Sequence, residues 1–241
     1  MPGLGRIRHI YRYPVKSMAG EELASAELGW HGIKGDRRYS FVRTGHAGGF
    51  PWLTASKMPG LIRYRAYHTD GTDPSGPRVY VRTPGGTDLE VGNDSLRTAL
   101  AKEFGADVSL IHVGNGIFDD FPVSLISTTT LAAVGAQLGT ALDPRRFRPN
   151  LLVEPTGQAD VWEDEWVGKT IVFGNQSNAP SLRISIHDVR CVMVNLDHET
   201  AESDPRVLKT IASTRKNCAG VYATVLNPGV LNVGDEIMLN G

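Results

Sequence analysis

Cysteine is almost missing from this sequence. Two residues in 241, Cys191 and Cys218, are too few for a disulfide framework, and the paired spacings of zinc sites do not occur. Long apolar runs are missing as well, since none approaches the roughly 18–20 residues of a membrane span. The stretch Met1-Pro2-Gly3-Leu4-Gly5-Arg6 lacks the apolar centre of a secretion signal. Nor is there an excess of one charge. Against 26 acidic residues stand 25 Lys+Arg, a net charge of −1, so no global field draws the chain to nucleic acid or to a membrane. Neither a Walker phosphate loop nor a Gly-x-Gly-x-x-Gly fingerprint is present, which weighs against the common nucleotide enzymes. The Gly-x-Ser-x-Gly elbow of serine hydrolases is absent too. These absences predict a cytoplasmic protein with no nucleic-acid or membrane partner, although 25 positive side chains can still gather locally.

What is present favours strands and tight turns. Glycine (27) and proline (14) exceed their usual combined share of about 12 per cent. In the first half, Ile7, His9, Tyr11 and Tyr13 alternate with arginines, the period of a half-buried strand. Further strands are predicted over 38–43, 61–68, 78–82 and 108–113. Turn clusters at 71–77 and 84–86 separate them. One helix is predicted from Asp94 to Phe104, with Gly105 placed to end it. Strands at this spacing suggest a small barrel or sandwich. Near Gly114-Asn115-Gly116 the style shifts. Ser127 to Thr130 cap a helical stripe of Leu131, Val134 and Leu138, and Asp204-Pro205 open a second helix along Val207, Leu208 and Ile211. Strands are predicted over 151–154, 169–173 and again through the tail, 220–239. The chain has no repeats and no low-complexity linker.

Chemistry gathers in two places. Along 182–197, read as one unbroken strand, even positions from Leu182 to Leu196 are apolar except Asp188 and Arg190. Cys191 then shares the opposite face with Asn195 and Asp197. A packing cysteine would join the apolar stripe; a thiol beside Arg190 suits metal ligation as thiolate, and both roles stay open on this pattern. His187 lies about 13 Å from Cys191 along a straight strand, too far for a shared zinc without a bend. The second group is three basic or hydroxylated turns, Tyr13-Pro14-Val15-Lys16-Ser17, Gly35-Asp36-Arg37-Arg38 and Phe147-Arg148-Pro149-Asn150. Converging, they would make an anion pocket; separately, each reads as a solvated surface turn.

Taken in order, Tyr-Pro-Val-Lys-Ser17, Gly-Asp-Arg37, Phe-Arg-Pro-Asn150, Arg-Cys191, Val-Tyr222, Asn-Pro-Gly229 and Val-Gly-Asp235 resemble a MOSC protein with its N-terminal β-barrel domain. That group includes the mitochondrial amidoxime-reducing component and bacterial relatives. The resemblance spans nearly the whole chain, with 6–115 as the N-terminal domain and 116–239 as the MOSC domain. It implies a β-rich α+β fold of mainly antiparallel barrels with a few short helices. It also implies a molybdenum cofactor, molybdopterin, and no requirement for pyridoxal phosphate. Carried over, Cys191 ligates the metal. Lys16, Ser17, Arg37, Arg148 and Asn150 hold the pterin and its phosphate, while Arg190 and Tyr222 flank the centre. Cys218 is read as structural.

Two departures stand out. Relatives continue Arg-Cys-x-x-Thr-Thr-x-Asp, whereas Cys191 is followed by Val-Met-Val-Asn-Leu-Asp197. Asn195 therefore alters a polar contact near the metal, and the retained Asp197 is a candidate to position a water or a proton. No further cysteines exist to hold an iron–sulfur cluster. The implied activity is an oxidoreductase that reduces N-hydroxylated or related N–O small molecules, with electrons from a separate donor protein. The alternative is a sulfur carrier or cofactor-binding module without turnover, using a Cys191 persulfide.

Overall fold

The computed structural model describes residues 3–46, 48–69, 77–156 and 163–240. The turn cluster at 71–77 therefore lies outside the described residues except for Pro77. In chain order the first half contributes β1 (Gly3–Arg12), β2 (Glu21–Leu23), β3 (Ser25–Gly29), β4 (Gly32–Ile33) and β5 (Tyr39–Arg43). Then come β6 (Arg65–His68), β7 (Val79–Arg82), β8 (Asp88–Glu90), α1 (Asp94–Phe104) and β9 (Val108–His112). The second half runs β10 (Val123–Ser127), α2 (Thr128–Leu138), β11 (Leu151–Pro155), β12 (Thr170–Phe173) and β13 (Ser181–Val189). It ends with α3 (Arg206–Arg215), β14 (Cys218–Asn227), β15 (Gly229–Asn232) and β16 (Glu236–Asn240).

The central feature is a closed barrel. Its strands follow the order β11, β10, β14, β13, β12, β16 and β1, and β1 closes the ring by pairing back to β11. All ladders are antiparallel except β10 with β11. Closure removes the exposed edges that an open sheet would present. Six of the seven strands come from the second half, so the first strand of the chain completes a barrel whose other staves lie more than 100 residues later. The interior is apolar: Leu4, Ile7 and Ile10 meet Val123, Leu125, Leu151, Val153, Leu182, Ile184, Val221 and Ile237. A bulge between Ile7 and His9 lets Ile7 and Ile10 both face this interior despite their odd spacing.

Of the remaining first-half strands, β2 pairs with the end of β1, β3 lies between β4 and β15, and the others form two smaller sheets. β5 pairs with β9, and β6, β7 and β8 make a three-stranded meander. With α1 they enclose a second core of Met18, Phe41, Leu53, Leu61, Ile62, Leu96 and Leu100. The strand predicted over 61–68 starts instead as a 3-10 turn, Pro59–Arg63, and only then becomes β6. Leu61 and Ile62 are both buried, and two consecutive inward side chains suit a turn, not an alternating strand. The caps behave as their residue types require. Asn93 accepts from Ser95 N and Gly105 closes α1 at φ 81°; Ser127 accepts from Thr130 N at the head of α2. A third core under α2 and α3 seats Tyr11 and Tyr13 against Phe147, Val194 and Ile211. Among the described residues no helix is long and apolar enough to cross a membrane.

Candidate active site

The three basic turns do converge. A cleft of about 380 Å³ is lined by Lys16, Ser17, Arg37 and Arg148 together with Arg190, Cys191 and Tyr222. Its wall combines the β1–β2 connection, the turn before β5, the turn before β11 and the end of β13. Three of these residues hold left-handed backbone that non-glycine residues avoid: Ser17 at φ 65°, Arg37 at φ 45° and Arg148 at φ 52°. Such conformations cost on the order of 1–3 kcal/mol each and cluster at functional sites. Here one sits on each of the three turns.

Arg37 is the tie between them. Its guanidinium meets Asp36 at 2.5 Å and Asp119 at 2.7 Å, and Nη2 donates to the Arg148 carbonyl at 2.8 Å. Nη1 also reaches Asn150 Oδ1. Burial would lower the Arg37 pKa, but Asp36 and Asp119 hold it above the usual value. All three of its side-chain nitrogens are therefore committed to the protein, and Arg37 shapes the wall. Asn150 stands behind that wall, 1% exposed. Its Oδ1 accepts from Ser124 N, and its Nδ2 donates to the Tyr11 carbonyl. Neither reaches into the cleft as a free donor.

Lys16 and Arg148 differ. Burial lowers the Lys16 pKa against the attraction of Asp119, and Nζ donates to the Phe118 carbonyl. Burial and the nearby Arg37 bring Arg148 down to about 10. Arg148 Nη1 donates to the Met18 carbonyl and its guanidinium stands 4.3 Å from the centre of the Tyr13 ring. Its Nη2 is buried with no hydrogen-bond partner, the mark of a donor that a ligand would satisfy.

The other side of the cleft carries the thiol. The strand predicted through 182–197 stops at Val189, whose partner Cys218 begins β14, so no ladder is left to extend it. Bulges within the β13–β14 pairing also break the even–odd face assignment. Arg190 N instead donates to the Asn217 carbonyl, and 192–195 turn as a 3-10 helix after Cys191. Cys191 is exposed at this corner. Arg190 points the other way: Nε donates to the Ala219 carbonyl, Nη1 to the Phe147 carbonyl, and Nη2 pairs with Asp188 at 2.8 Å. Gly220 makes room for it, because a Cβ there would stand 3.0 Å from Arg190 Nη2 and 2.6 Å from the Leu125 carbonyl, at φ 88°.

Two expectations for the stretch after Cys191 are corrected. Asn195 and Asp197 do not share a strand face with the thiol. Asn195 is 7% exposed and its Oδ1 accepts from Leu208 N in the first turn of α3. Asp197 does not line the cleft. Its carboxylate binds Arg146 at 2.8 Å and accepts from Glu199 N and Thr200 N, so it folds a turn. Cys218 likewise stays outside. Among the described residues no three His, Cys, Asp or Glu side chains gather as a metal cage.

Sequence reasoning missed two carboxylates. Asp119 accepts from Tyr222 Oη and pairs with Arg37. Burial opposes its charge, but Arg37 and Lys16 hold its pKa below the usual range. Nothing in its local sequence marked it. Asp188 lines the cleft, buried, and burial with Asp119 nearby pushes its carboxyl up to about 6 against the pull of Arg190. Its signal was visible as one of two charges interrupting an apolar stripe.

No curated protein matches the chain. Among solved structures, the YUAD protein from Bacillus subtilis covers 97% of this chain and 93% of its own, at 16% identity and a TM-score of 0.51. At that identity the likeness is one of fold. YiiM from Geobacillus stearothermophilus aligns with 51% of this chain and 55% of its own, at 18% identity and a TM-score of 0.39. The MOSC N-terminal beta barrel domain matches residues 4–112 and the MOSC domain matches residues 105–238. With the two matches running almost end to end through the turns that build the cleft, the chain belongs to the MOSC domain family, with that family's N-terminal barrel domain at its head.

Proposed function

We propose that the chain is a molybdenum-cofactor-dependent oxidoreductase that reduces N-hydroxylated or related N–O compounds, taking electrons from a separate redox protein. MOSC domains are associated with molybdenum-cofactor binding, and the donor set here fits that group. The observation that carries the reading is the exposed Cys191 thiol at one end of a cleft whose other wall holds Lys16 and a buried, unsatisfied Arg148 Nη2. A soft thiolate suits molybdenum, and guanidinium and ammonium groups suit a pterin phosphate.

Cys191 would hold the metal, and Lys16, Ser17 and Arg148 would hold the pterin phosphate. Arg37 and Asn150 keep the turns in register from behind. When bound, the cofactor supplies two-electron redox chemistry that no amino-acid side chain offers. Reduction of an N–OH to an N–H consumes two electrons and two protons and releases water. Asp188 is the cleft carboxyl suited to hold a proton near neutrality, since burial pushes it up to about 6. Tyr222, fixed by Asp119 and stacked on Phe121, walls the same side.

The test is metal and pterin content of the wild type and Cys191→Ser, both expressed in a host that makes molybdenum cofactor. Stoichiometric molybdenum in the wild type, lost in a folded variant, supports ligation by Cys191, and turnover of an N-hydroxylated compound with an artificial reductant supports the activity. The exposure of Cys191 also suits a sulfur carrier. Transferable sulfur on Cys191, with no molybdenum and no turnover, would replace the oxidoreductase reading by that one.

A further inference from the structure

Arg148 lines a second cleft as well. This one, about 440 Å³, lies beyond the Tyr13 ring and is lined by Tyr11, Tyr13, Arg63, Arg65, Arg82 and Arg145, among others. Its size is that of a site for a small organic molecule. Its electrostatics are uneven. Of the lining carboxylates, Glu21 pairs with Arg12 and Glu199 stands 3.6 Å from Arg145, while Glu22 has His9 beside it. Arg82 is held by Asp88, and Arg145 also by Asp143. Arg63 closes a 3-10 turn and Arg65 opens β6. Among the described residues neither has a carboxylate within ion-pair distance, and Arg148 has none either. Three guanidinium groups without acidic partners thus face one cavity.

Two residues of its lining carry a buried polar atom without a hydrogen-bond partner, Tyr13 Oη and Arg148 Nη2. Burial pushes the Tyr13 hydroxyl above its usual value, so its proton stays on through neutral pH. Buried orphan donors are uncommon in folded proteins and call for a partner. The Tyr11 and Tyr13 rings, 6.4 Å apart, add an apolar surface beside these donors, and the Thr83–Gly86 turn lines the cavity with small groups.

We propose that this second cleft binds a phosphate monoester of nucleotide size, its phosphate held by Arg63, Arg65 and Arg148 with Tyr13 Oη donating, and its body lying along Tyr11 and the Thr83–Gly86 turn. Arginine forks match phosphate oxygens in pairs. The cavity has more room than a bare anion needs. Because Arg148 serves both clefts, occupancy of one changes the affinity of the other, and the coupling is reciprocal. The site does not depend on which reaction the Cys191 cleft performs.

The experiment is calorimetric titration of the purified full chain with adenosine 5′-monophosphate, inorganic phosphate and adenosine. Adenosine 5′-monophosphate is expected to bind with one site, with inorganic phosphate weaker and adenosine weaker by about tenfold or more, as loss of charge-assisted hydrogen bonds requires. Replacing the two exposed arginines together, Arg63→Ala with Arg65→Ala, should weaken the monophosphate by at least about tenfold without unfolding the chain. Tyr13→Phe removes one donor and should weaken it by a smaller factor. Absence of binding at millimolar monophosphate overturns the proposal. Binding that survives the double arginine variant, or that is lost instead in Lys16→Ala, overturns it too, since the ligand would then sit in the Cys191 cleft.

Discussion

Arg37 donates through Nη2 to the main-chain carbonyl of Arg148 at 2.8 Å, so a turn from the first half of the chain holds the left-handed turn of the second. The same guanidinium neutralises Asp36, which is fully buried, and Asp119. Arg37→Ala leaves both carboxylates without their cation. Chemical denaturation should show a loss of about 3–5 kcal/mol, the range for breaking a buried pair from one side. Arg37→Lys should recover only part of it, because an ammonium cannot serve three acceptors in one plane.

Asp188 predicts a slope of stability with pH. Its carboxyl is raised from 3.8 to about 6, first by burial and then by Asp119, with Arg190 opposing. A group that binds its proton more tightly when folded stabilises the fold fully below its unfolded pKa, and that contribution disappears as pH rises through the folded value. Between about pH 4 and 6 the wild type should lose on the order of 2 kcal/mol relative to Asp188→Asn. Urea melts of the two proteins across that window give the difference directly. Parallel curves would mean that Asp188 stays ionised in the fold.

Asn195 caps α3 through the Leu208 amide. Asn195→Ala should cost about 1–2 kcal/mol, the worth of a cap whose loss leaves a half-buried first-turn amide without its acceptor. Thermal unfolding measures it. A change in cofactor content at unchanged stability would return Asn195 to the role expected from the motif.

Asp197→Ala removes the partner of Arg146 and the acceptor of two turn amides. It should lower stability by about 1–2 kcal/mol while leaving the molybdenum content per folded chain unchanged, as measured by metal analysis.

Cys191 makes little contribution to the folded state. An exposed side chain outside the cores should tolerate Cys191→Ser within about 0.5 kcal/mol, so any loss of metal in that variant reports ligation and not unfolding.

Local chemistry made much of this readable from the sequence. The bounds of α1 follow from Asp94, Phe104 and the glycine after them, and the head of α2 from Ser127. Lys16, Ser17, Arg37 and Arg148 reach the cleft from turns whose residue types already marked them, whereas Arg190 and Cys191 follow the end of β13, Tyr222 lies within β14, and the family resemblance named their roles. The misreading of the stretch after β13 has a local cause. Strand alternation assumes a regular ladder, but β13 carries bulges and loses its partner at Val189, which turns Cys191 outward and sends Asn195 and Asp197 to other duties. Asp119 was invisible for a different reason: its importance comes from Arg37, 82 residues earlier, and no local pattern encodes that distance. The second cleft was hidden likewise, since Arg63, Arg65 and Arg148 are brought together by the packing of separate cores.

The placement of β1 has a consequence for how the chain is made. Residues 3–12 leave the ribosome long before their barrel neighbours in β11 and β16, 151–155 and 236–240. Until the last strand emerges, Leu4, Ile7 and Ile10 have no barrel to enter. Pairings this distant in sequence are slow to form, and waiting apolar strands are prone to aggregate. Truncation before Glu236 should therefore leave β1 without its β16 partner and prone to aggregate, although none of its own residues is changed.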